Sequence, residues 1–271
     1  MLRAMIAAVV QMTSGAELAR NLARAGELIA HAAGLGAELV ALPENFALMR
    51  GESAPGPNPH AQDVPNGEVM RFLREQATAH GIALAGGTFP ERIAGDPRVF
   101  NTSVVIDRGG ALLALYRKIH LFDVDLPGAV LRESATVAPG SEVAVAKLPH
   151  CTLGLSVCYD VRFPELYRAL VDRGATVLLV PAAFTVPTGR DHWEVLLRAR
   201  AIESQCFVIA AAQWGEHSAT RRSFGRALIA DPWGTVLCTV PDGEGVAIAE
   251  LDFARLEDVR RRLPALRHRR L

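Results

Sequence analysis

The sequence predicts an α/β fold in which two β-sheets pack against each other and helices cover their outer faces. Three observations carry this. Half of the residues are hydrophobic, yet the apolar stretches are short runs bounded by Gly and Pro, as buried strands are. These runs alternate with amphipathic stretches of helical period, the grammar of α/β proteins. The unit Gly36-Ala37-Glu38-Leu39-Val40-Ala41-Leu42-Pro43-Glu44 is also echoed by Gly174-Ala175-Thr176-Val177-Leu178-Leu179-Val180-Pro181-Ala182. Each follows a predicted helix, so each is a helix–Gly–strand–Pro module, and two such halves suggest two sheets. No shift in composition marks a linker, so residues 1–271 are read as one domain. At this length about three quarters of the unfolded surface can be buried without a disulfide or metal staple.

In chain order, residues 4–12 read as an apolar strand. Ser14 suits the cap of a helix over 17–33, where Leu18, Leu22, Ala25 and Ile29 share a face. Gly34 and Gly36 end it. Residues 37–42 are a buried strand stopped by Pro43, and the Pro- and Gly-rich stretch 51–65 is a surface loop. A helix over 67–80 leads to a strand at 82–85. Strands at 99–107 and 111–116 flank Arg108-Gly109-Gly110, a hairpin turn. In the second half, 143–148 and 152–157 are strands, and Pro164 suits the first turn of a helix ending near 172. A strand at 176–180, a helix at 192–204 and a strand at 207–212 follow. Strands at 224–230, 235–240 and 246–251 finish the sheets, with the turn Pro232-Trp233-Gly234 between the first two.

Charge and cysteine usage exclude several classes. Lys plus Arg total 29 and Asp plus Glu total 29, a neutrality that argues against a nucleic-acid binder. The C-terminal group Arg260, Arg261, Arg262, Arg267, Arg269 and Arg270 is therefore read as a solvated or dimer-crossing tail. None of the four cysteines forms a CxxC pair and no His stands at a zinc-finger spacing, so no metal site is expected. Cys151, Cys206 and Cys238 lie in or beside apolar runs, where a thiol serves as a small hydrophobe. All are read as reduced, in a cytoplasmic protein. The apolar run 4–10 is too short to span a bilayer, and Gln11 ends it without a clear cleavage site, so no membrane association is expected.

Three polar residues stand at the ends of apolar strands, where open α/β sheets place their binding groups. Glu44 follows the strand ending at Leu42, Lys118 the one ending at Tyr116, and Cys158 the one ending at Val157. An acid, a cation and a thiol together suit acyl transfer. The carboxylate can take the thiol proton, and the cation can hold a developing oxyanion. Taken singly each has a plainer reading: Cys158 as core, Glu44 as a helix cap, Lys118 as a surface charge.

The segments around them decide between these readings. Leu42-Pro43-Glu44-Asn45-Phe46, Tyr116-Arg117-Lys118-Ile119-His120 and Gly154-Leu155-Ser156-Val157-Cys158-Tyr159-Asp160-Val161-Arg162-Phe163-Pro164-Glu165 resemble the three signature segments of the nitrilase, or carbon–nitrogen hydrolase, superfamily in content, order and separation. The resemblance covers nearly the whole chain. It implies a four-layer α-β-β-α sandwich that pairs into homodimers, with no metal and no organic cofactor. It also implies Cys158 as nucleophile, Glu44 as general base, Lys118 as oxyanion stabiliser and proton donor, and the Tyr159 N–H as second oxyanion donor. Glu133, in Leu131-Arg132-Glu133-Ser134, fits a further family glutamate that positions the lysine or substrate.

Within the superfamily, Trp193-Glu194-Val195-Leu196-Leu197, the stretch 198–213 and Arg221-Arg222-Ser223-Phe224-Gly225 resemble the branch that cleaves deaminated glutathione, a small-molecule amide, to 2-oxoglutarate and cysteinylglycine. The segment His120-Leu121-Phe122-Asp123-Val124-Asp125-Leu126-Pro127-Gly128 is as similar to the ω-amidase branch, which releases ammonia from α-ketoglutaramate. Arg226 departs from a histidine common at that place. Both substrates end in a keto acid, so Arg162 or Arg222 is a candidate for its carboxylate. His192 either faces the pocket or packs. Two alternatives remain: true nitrile hydrolysis, disfavoured because Cys158-Tyr159-Asp160-Val161-Arg162-Phe163 resembles the amidase branches, and a nitrilase-fold protein that binds partners without activity, disfavoured by the intact Glu44, Lys118 and Cys158.

Overall fold

The computed structural model describes residues 4–49, 58–126 and 129–270; residues 51–57 of the expected surface loop, and Pro127 and Gly128, lie outside them. The first half runs β1 (Met5–Met12), α1 (Leu18–Gly34), β2 (Leu39–Ala41), α2 (Glu68–His80), β3 (Ala83–Ala85), β4 (Phe89–Arg92), β5 (Val99–Ile106), β6 (Leu112–Arg117), β7 (Asp123–Leu126), β8 (Ala129–Arg132) and β9 (Val137–Ala138). The second runs β10 (Val145–Lys147), β11 (Thr152–Leu155), α3 (Pro164–Asp172), β12 (Val177–Leu179), α4 (Val186–Ser204), β13 (Phe207–Ala210), β14 (Ala212–Glu216), β15 (Arg222–Phe224), β16 (Leu228–Ala230), β17 (Val236–Thr239), β18 (Gly245–Leu251) and α5 (Phe253–Arg262).

Two large sheets result. One has ten strands in the order β15-β14-β1-β2-β3-β5-β4, with β18 on β1 and with β6 and β9 on β5. The other has six, β10-β11-β12-β13-β16-β17, and β7 and β8 form a separate two-stranded ribbon. Alternation along the strands explains the layering, because successive side chains point to opposite faces. In β1, Ala7 and Val9 join the core between the sheets, while Ala8, Val10 and Met12 face α1 and α2. Likewise Leu39 and Ala41 of β2 point inward and Val40 outward. α1 meets that outer face with Leu22, Ala25, Leu28, Ile29 and Ala32, one helical stripe. α3 and α4 cover the other sheet, completing the α-β-β-α order.

The echoed modules occupy matching places. β2 lies between β1 and β3, and β12 between β11 and β13, each parallel to both neighbours. The hairpin closes as expected, with Asp107 Oδ1 accepting from the Gly109 and Ala111 N–H groups.

Several expectations are corrected. The span 207–212 is two strands in different sheets, β13 and β14. The span 224–230 is likewise cut, because Gly225 (φ 83°) and Arg226 (φ 62°) adopt left-handed backbone that turns the chain out of one sheet and into the other. α4 begins at Val186 rather than 192, since Pro187 is accommodated in its first turn. Ser14 does not cap α1; its hydroxyl donates to the Phe46 carbonyl. The basic C-terminus is in part a docked helix. Asp252 caps α5 by accepting from Ala254 and Arg255, and Phe253, Leu256 and Val259 are buried. Arg260 donates to the carbonyls of Gln205 (3.0 Å) and Ala175 (3.2 Å). Among the described residues no helix is long and apolar enough to cross a membrane.

Candidate active site

Close backbone packing delivers the three polar residues to one place. Beyond β2, Leu42 and Pro43 lead to Glu44, and the chain beside them can pass only at Gly87. A Cβ there would lie 2.2 Å from the Pro43 carbonyl oxygen, and its φ is +52°. Lys118 follows β6, and Gly140 presses on the same bend, where a Cβ would lie 2.2 Å from the Arg117 carbonyl oxygen. Cys158 leaves β11 with φ 49°, a left-handed conformation that non-glycine residues rarely adopt. Its N–H donates to the Pro181 carbonyl at 2.9 Å. A 3-10 turn, Cys158–Arg162, starts there. The Tyr159 N–H therefore lies in a first turn, where N–H groups have no intrahelical acceptor.

The side chains converge. Glu44 Oε1 accepts from Lys118 Nζ at 3.1 Å and from Asn101 Nδ2 at 2.9 Å. Its Oε2 accepts from the Ala183 N–H at 2.9 Å. Lys118 Nζ also donates to both oxygens of Glu133, at 2.9 and 2.8 Å, and Glu133 accepts from the Phe122 N–H at 2.7 Å. The Lys118 and Glu44 side chains are only 2% and 4% exposed. An ammonium and two carboxylates out of water are tolerable because each offsets the other's desolvation.

Electrostatics set the protonation states. Burial alone would raise Glu44, but the Lys118 ammonium, the Cys158 thiol as hydrogen-bond donor and the charge of Arg221 hold it below its ordinary value. Burial pulls Lys118 down, yet Glu133 and Glu44 outweigh it and hold the ammonium above its ordinary value. Burial, with the charge of Glu44, pushes the Cys158 thiol well up, against the pull of Lys118 and the Ala183 N–H. The resting pair is thus a thiol beside a carboxylate, an arrangement in which the carboxylate can take the proton as sulfur attacks.

Two structural partners escaped the sequence reading. Asp160, fully buried, accepts from Tyr116 Oη (2.7 Å), the Val157 N–H (2.8 Å), the His120 N–H (3.0 Å) and contacts His120 Nδ1 at 2.7 Å. It thereby ties the lysine bend to the cysteine turn. Asn101 joins Glu44 to Glu133 through Nδ2, the second contact being 3.5 Å. A signal for Asn101 existed: Asn101-Thr102-Ser103 interrupts an otherwise apolar strand, and buried polar runs need partners.

Above these groups opens a cavity of about 540 Å³, lined by Glu44, Lys118, Glu133, Cys158 and Tyr159 among others, within the size range of small-molecule sites. Arg162, His192 and Arg222 are absent from its lining. Arg162 lies over the rings of Tyr159 (5.9 Å) and Phe184 (5.5 Å) and contacts the exposed His192 at 3.2 Å. Arg222 lines a separate, smaller cavity with Arg190 and Arg226. The arginines that do line it are Arg221, one residue from Arg222, with Arg98 and Arg132.

A thiol, a buried carboxylate and a buried ammonium at the floor of a cavity, on an α-β-β-α sandwich, define an acyl-transfer enzyme of the nitrilase type. The family model described as carbon-nitrogen hydrolase matches residues 6–261, and the chain belongs to that family; it is an amidohydrolase. It is similar to the deaminated glutathione amidase of Synechocystis sp., at 47% identity over 97% of each chain. It is also similar to the human deaminated glutathione amidase, at 41% identity over 98% of this chain and 82% of that one. Among solved structures, Saccharomyces cerevisiae Nit3, a member of branch 10 of the nitrilase superfamily, superposes with a TM-score of 0.88 at 30% identity, covering 99% and 97% of the two chains.

Proposed function

We propose that the chain hydrolyses deaminated glutathione, the α-keto acid analogue of glutathione, at its γ-amide to 2-oxoglutarate and cysteinylglycine. The likeness to relatives bearing that activity's name over nearly the full chain supports the substrate. The observation that carries the chemistry is the Cys158–Glu44–Lys118 cluster at the floor of the cavity. Cys158 Sγ attacks the γ-amide carbon while Glu44 takes the thiol proton. Lys118 Nζ and the Tyr159 N–H hold the oxyanion, which is negative only in the tetrahedral state, so they favour that state over the bound amide. Collapse expels cysteinylglycine, protonated by Glu44, and leaves an acyl thioester on Cys158. Glu44 then takes a proton from water, which attacks the thioester and frees 2-oxoglutarate and the thiol. Glu133 keeps the lysine aligned throughout. A homodimer completes the reading, since Val195 and Ile202 of α4 and the neighbouring Trp233 expose apolar surface, as does a cytoplasmic setting that keeps the free cysteines reduced.

The test compares kcat/KM for deaminated glutathione and α-ketoglutaramate, reading the carboxylate product. Preference for deaminated glutathione is expected. A preference of about tenfold or more for α-ketoglutaramate, roughly 1.4 kcal/mol of transition-state binding, overturns the choice and installs the ω-amidase reading. The segment containing His120 and Phe122, which resembles that branch, lines the same cavity at Phe122.

A further inference from the structure

The catalytic cavity carries cations on two walls built by different parts of the chain. One wall joins the segment after Ala183 to the β14–β15 connection. Thr185 bridges to Ser223, and the Phe224 N–H donates to the Phe184 carbonyl. Arg221 lines the cavity here, as do Thr185 and Thr188, whose hydroxyls are 2.8 Å apart. Its charge acts on Glu44, so it lies within reach of the reacting centre.

A second part of the lining joins the start of β5 to β9 and to the turn that follows β8. Val99 pairs with Val137, and the Val99 N–H donates to the Thr136 carbonyl. Arg98 and Arg132 stand on this wall, both lining the cavity and both part-exposed, at 40% and 47%. A chain of hydrogen bonds, Ala183–Glu44–Lys118–Glu133, runs from the first part of the lining to the second. Ala183, on the first, donates to Glu44, and Glu133, next to Arg132 on the second, holds Lys118.

We propose that this cavity recognises its substrate by two carboxylates: Arg221 with the Thr185 and Thr188 hydroxyls holds the keto-acid carboxylate of the acyl part, and Arg98 with Arg132 holds the carboxylate of the departing dipeptide. The assignment rests on the substrate reading above, and chemistry orients it. The acyl arm is short, and its carboxylate stays on the enzyme through the thioester stage, so its cation belongs beside the reacting centre. The leaving dipeptide extends about 7 Å and must exit before water enters, so its cations belong at the part-exposed rim. Both rim arginines already have partners. Arg98 uses Nε and Nη2 on Asp96, and Arg132 uses Nη2 on Asp125 and Nη1 on the carbonyls of Val124 and Leu131. Exposed pairs of this kind are weak, and a guanidinium has five N–H donors, so a substrate carboxylate can displace or share them. α-Ketoglutaramate has no second carboxylate and leaves this wall unused.

The experiment uses the full chain and three amides: deaminated glutathione, the same compound with its glycine carboxylate converted to carboxamide, and α-ketoglutaramate. In the wild type, capping that carboxylate lowers kcat/KM about tenfold or more, the scale of a charge-assisted pair. In the double variant Arg98→Gln, Arg132→Gln, the ratio of kcat/KM for deaminated glutathione to that for α-ketoglutaramate falls by a similar factor, and capping then makes little further difference. Arg221→Gln instead lowers kcat/KM on all three compounds. The two-ended reading is overturned if capping is without effect in the wild type, or if capping still costs the double variant its full factor. A wild-type enzyme that leaves deaminated glutathione intact fails the substrate proposal itself, a distinct result. A loss by the double variant that is equal on all three compounds marks a structural defect, and it too counts against the assignment.

Discussion

The proposed base, Glu44, is held ionised by its neighbours, and that makes its pH behaviour predictable. In the proposed mechanism the active form has a Glu44 carboxylate and a Cys158 thiol. Glu44 lies below its ordinary 4.5 and Cys158 above its ordinary 9.0. Protonation of Glu44 on the acid side and ionisation of the thiol on the alkaline side both fall outside that interval. The expected kcat/KM profile is flat between those two values; a bell centred on a limb near pH 6–7 contradicts the assignment. Glu44→Gln keeps shape but cannot take a proton, a loss of roughly 10²–10⁴-fold in kcat. Lys118→Ala removes an oxyanion donor worth about 10²–10³-fold and leaves Glu44 and Glu133 facing each other without their shared cation. Near-normal turnover in either variant removes that residue from the catalytic set. Rapid acid quench of a slow substrate should likewise place an acyl adduct on the Cys158 peptide, not on Cys151 or Cys206. At this scale the local segments around Glu44, Lys118, Cys158 and Glu133 pointed to these residues, and the structure brings Lys118 against both Glu44 and Glu133. Arg221 was not singled out, because choosing between it and Arg222 depends on the strand register around Gly215 and Ser223, which alternation alone leaves open by one residue.

Elements matter through the bonds that pin their ends, and Asp160 is the clearest case. Its two oxygens meet Tyr116, Val157 and His120, linking the end of β6 to the turn that carries Cys158. An amide offers one oxygen, and its NH₂ would oppose donors already present. Asp160→Asn is therefore expected to lower the unfolding midpoint and to reduce kcat by about tenfold or more, since a misplaced nucleophile loses alignment. Tyr116→Phe removes one bond and should cost about 1 kcal/mol, with a smaller kinetic effect. Thermal melts and kcat on the two variants check the order; an Asp160→Asn enzyme with wild-type melting and turnover sinks it. The elements themselves were legible where periodicity was strong, as in α1, β1, β5 and β6. They were misread where the chain changes sheets. The apolar run through Phe207 and Ala212 contains no Gly or Pro to show that Ala211 is the crossing point, and the run 224–230 hides its break in Gly225 and Arg226. α5 was missed because its arginines dominate a short stripe of Phe253, Leu256 and Val259.

Over the whole molecule, the echoed modules explain why the site lies between the sheets: the chain after Pro43 supplies Glu44, and the chain after Pro181 supplies the Ala183 N–H that binds it. The two sheets are therefore joined through Glu44, and global stability shares its protonation. The thiols extend this to alkaline pH. All four cysteines are free. Burial pushes Cys151 up to about 12 and Cys206 and Cys238 up to about 11, from an ordinary 9.0, and Cys158 is also raised. The sign follows from linkage. Above pH 9.0 the unfolded chain releases thiol protons that the folded chain still holds, so stability present below that pH is lost as pH climbs toward 11–12. Each thiol contributes at most about 1.4 kcal/mol per pH unit over its own interval. Tyr116, Tyr167 and Lys118, raised above their ordinary 10.0 and 10.5, push the same way at the upper end. Denaturant unfolding should thus show a plateau to about pH 9 and a steepening decline beyond it. Cys151→Ala and Cys238→Ala should each flatten that decline, even where they lower stability at neutral pH by opening space in the core. An unfolding free energy that stays constant from pH 8 to 11, in the wild type and both variants, would mean that these thiols ionise equally in the folded and unfolded chain.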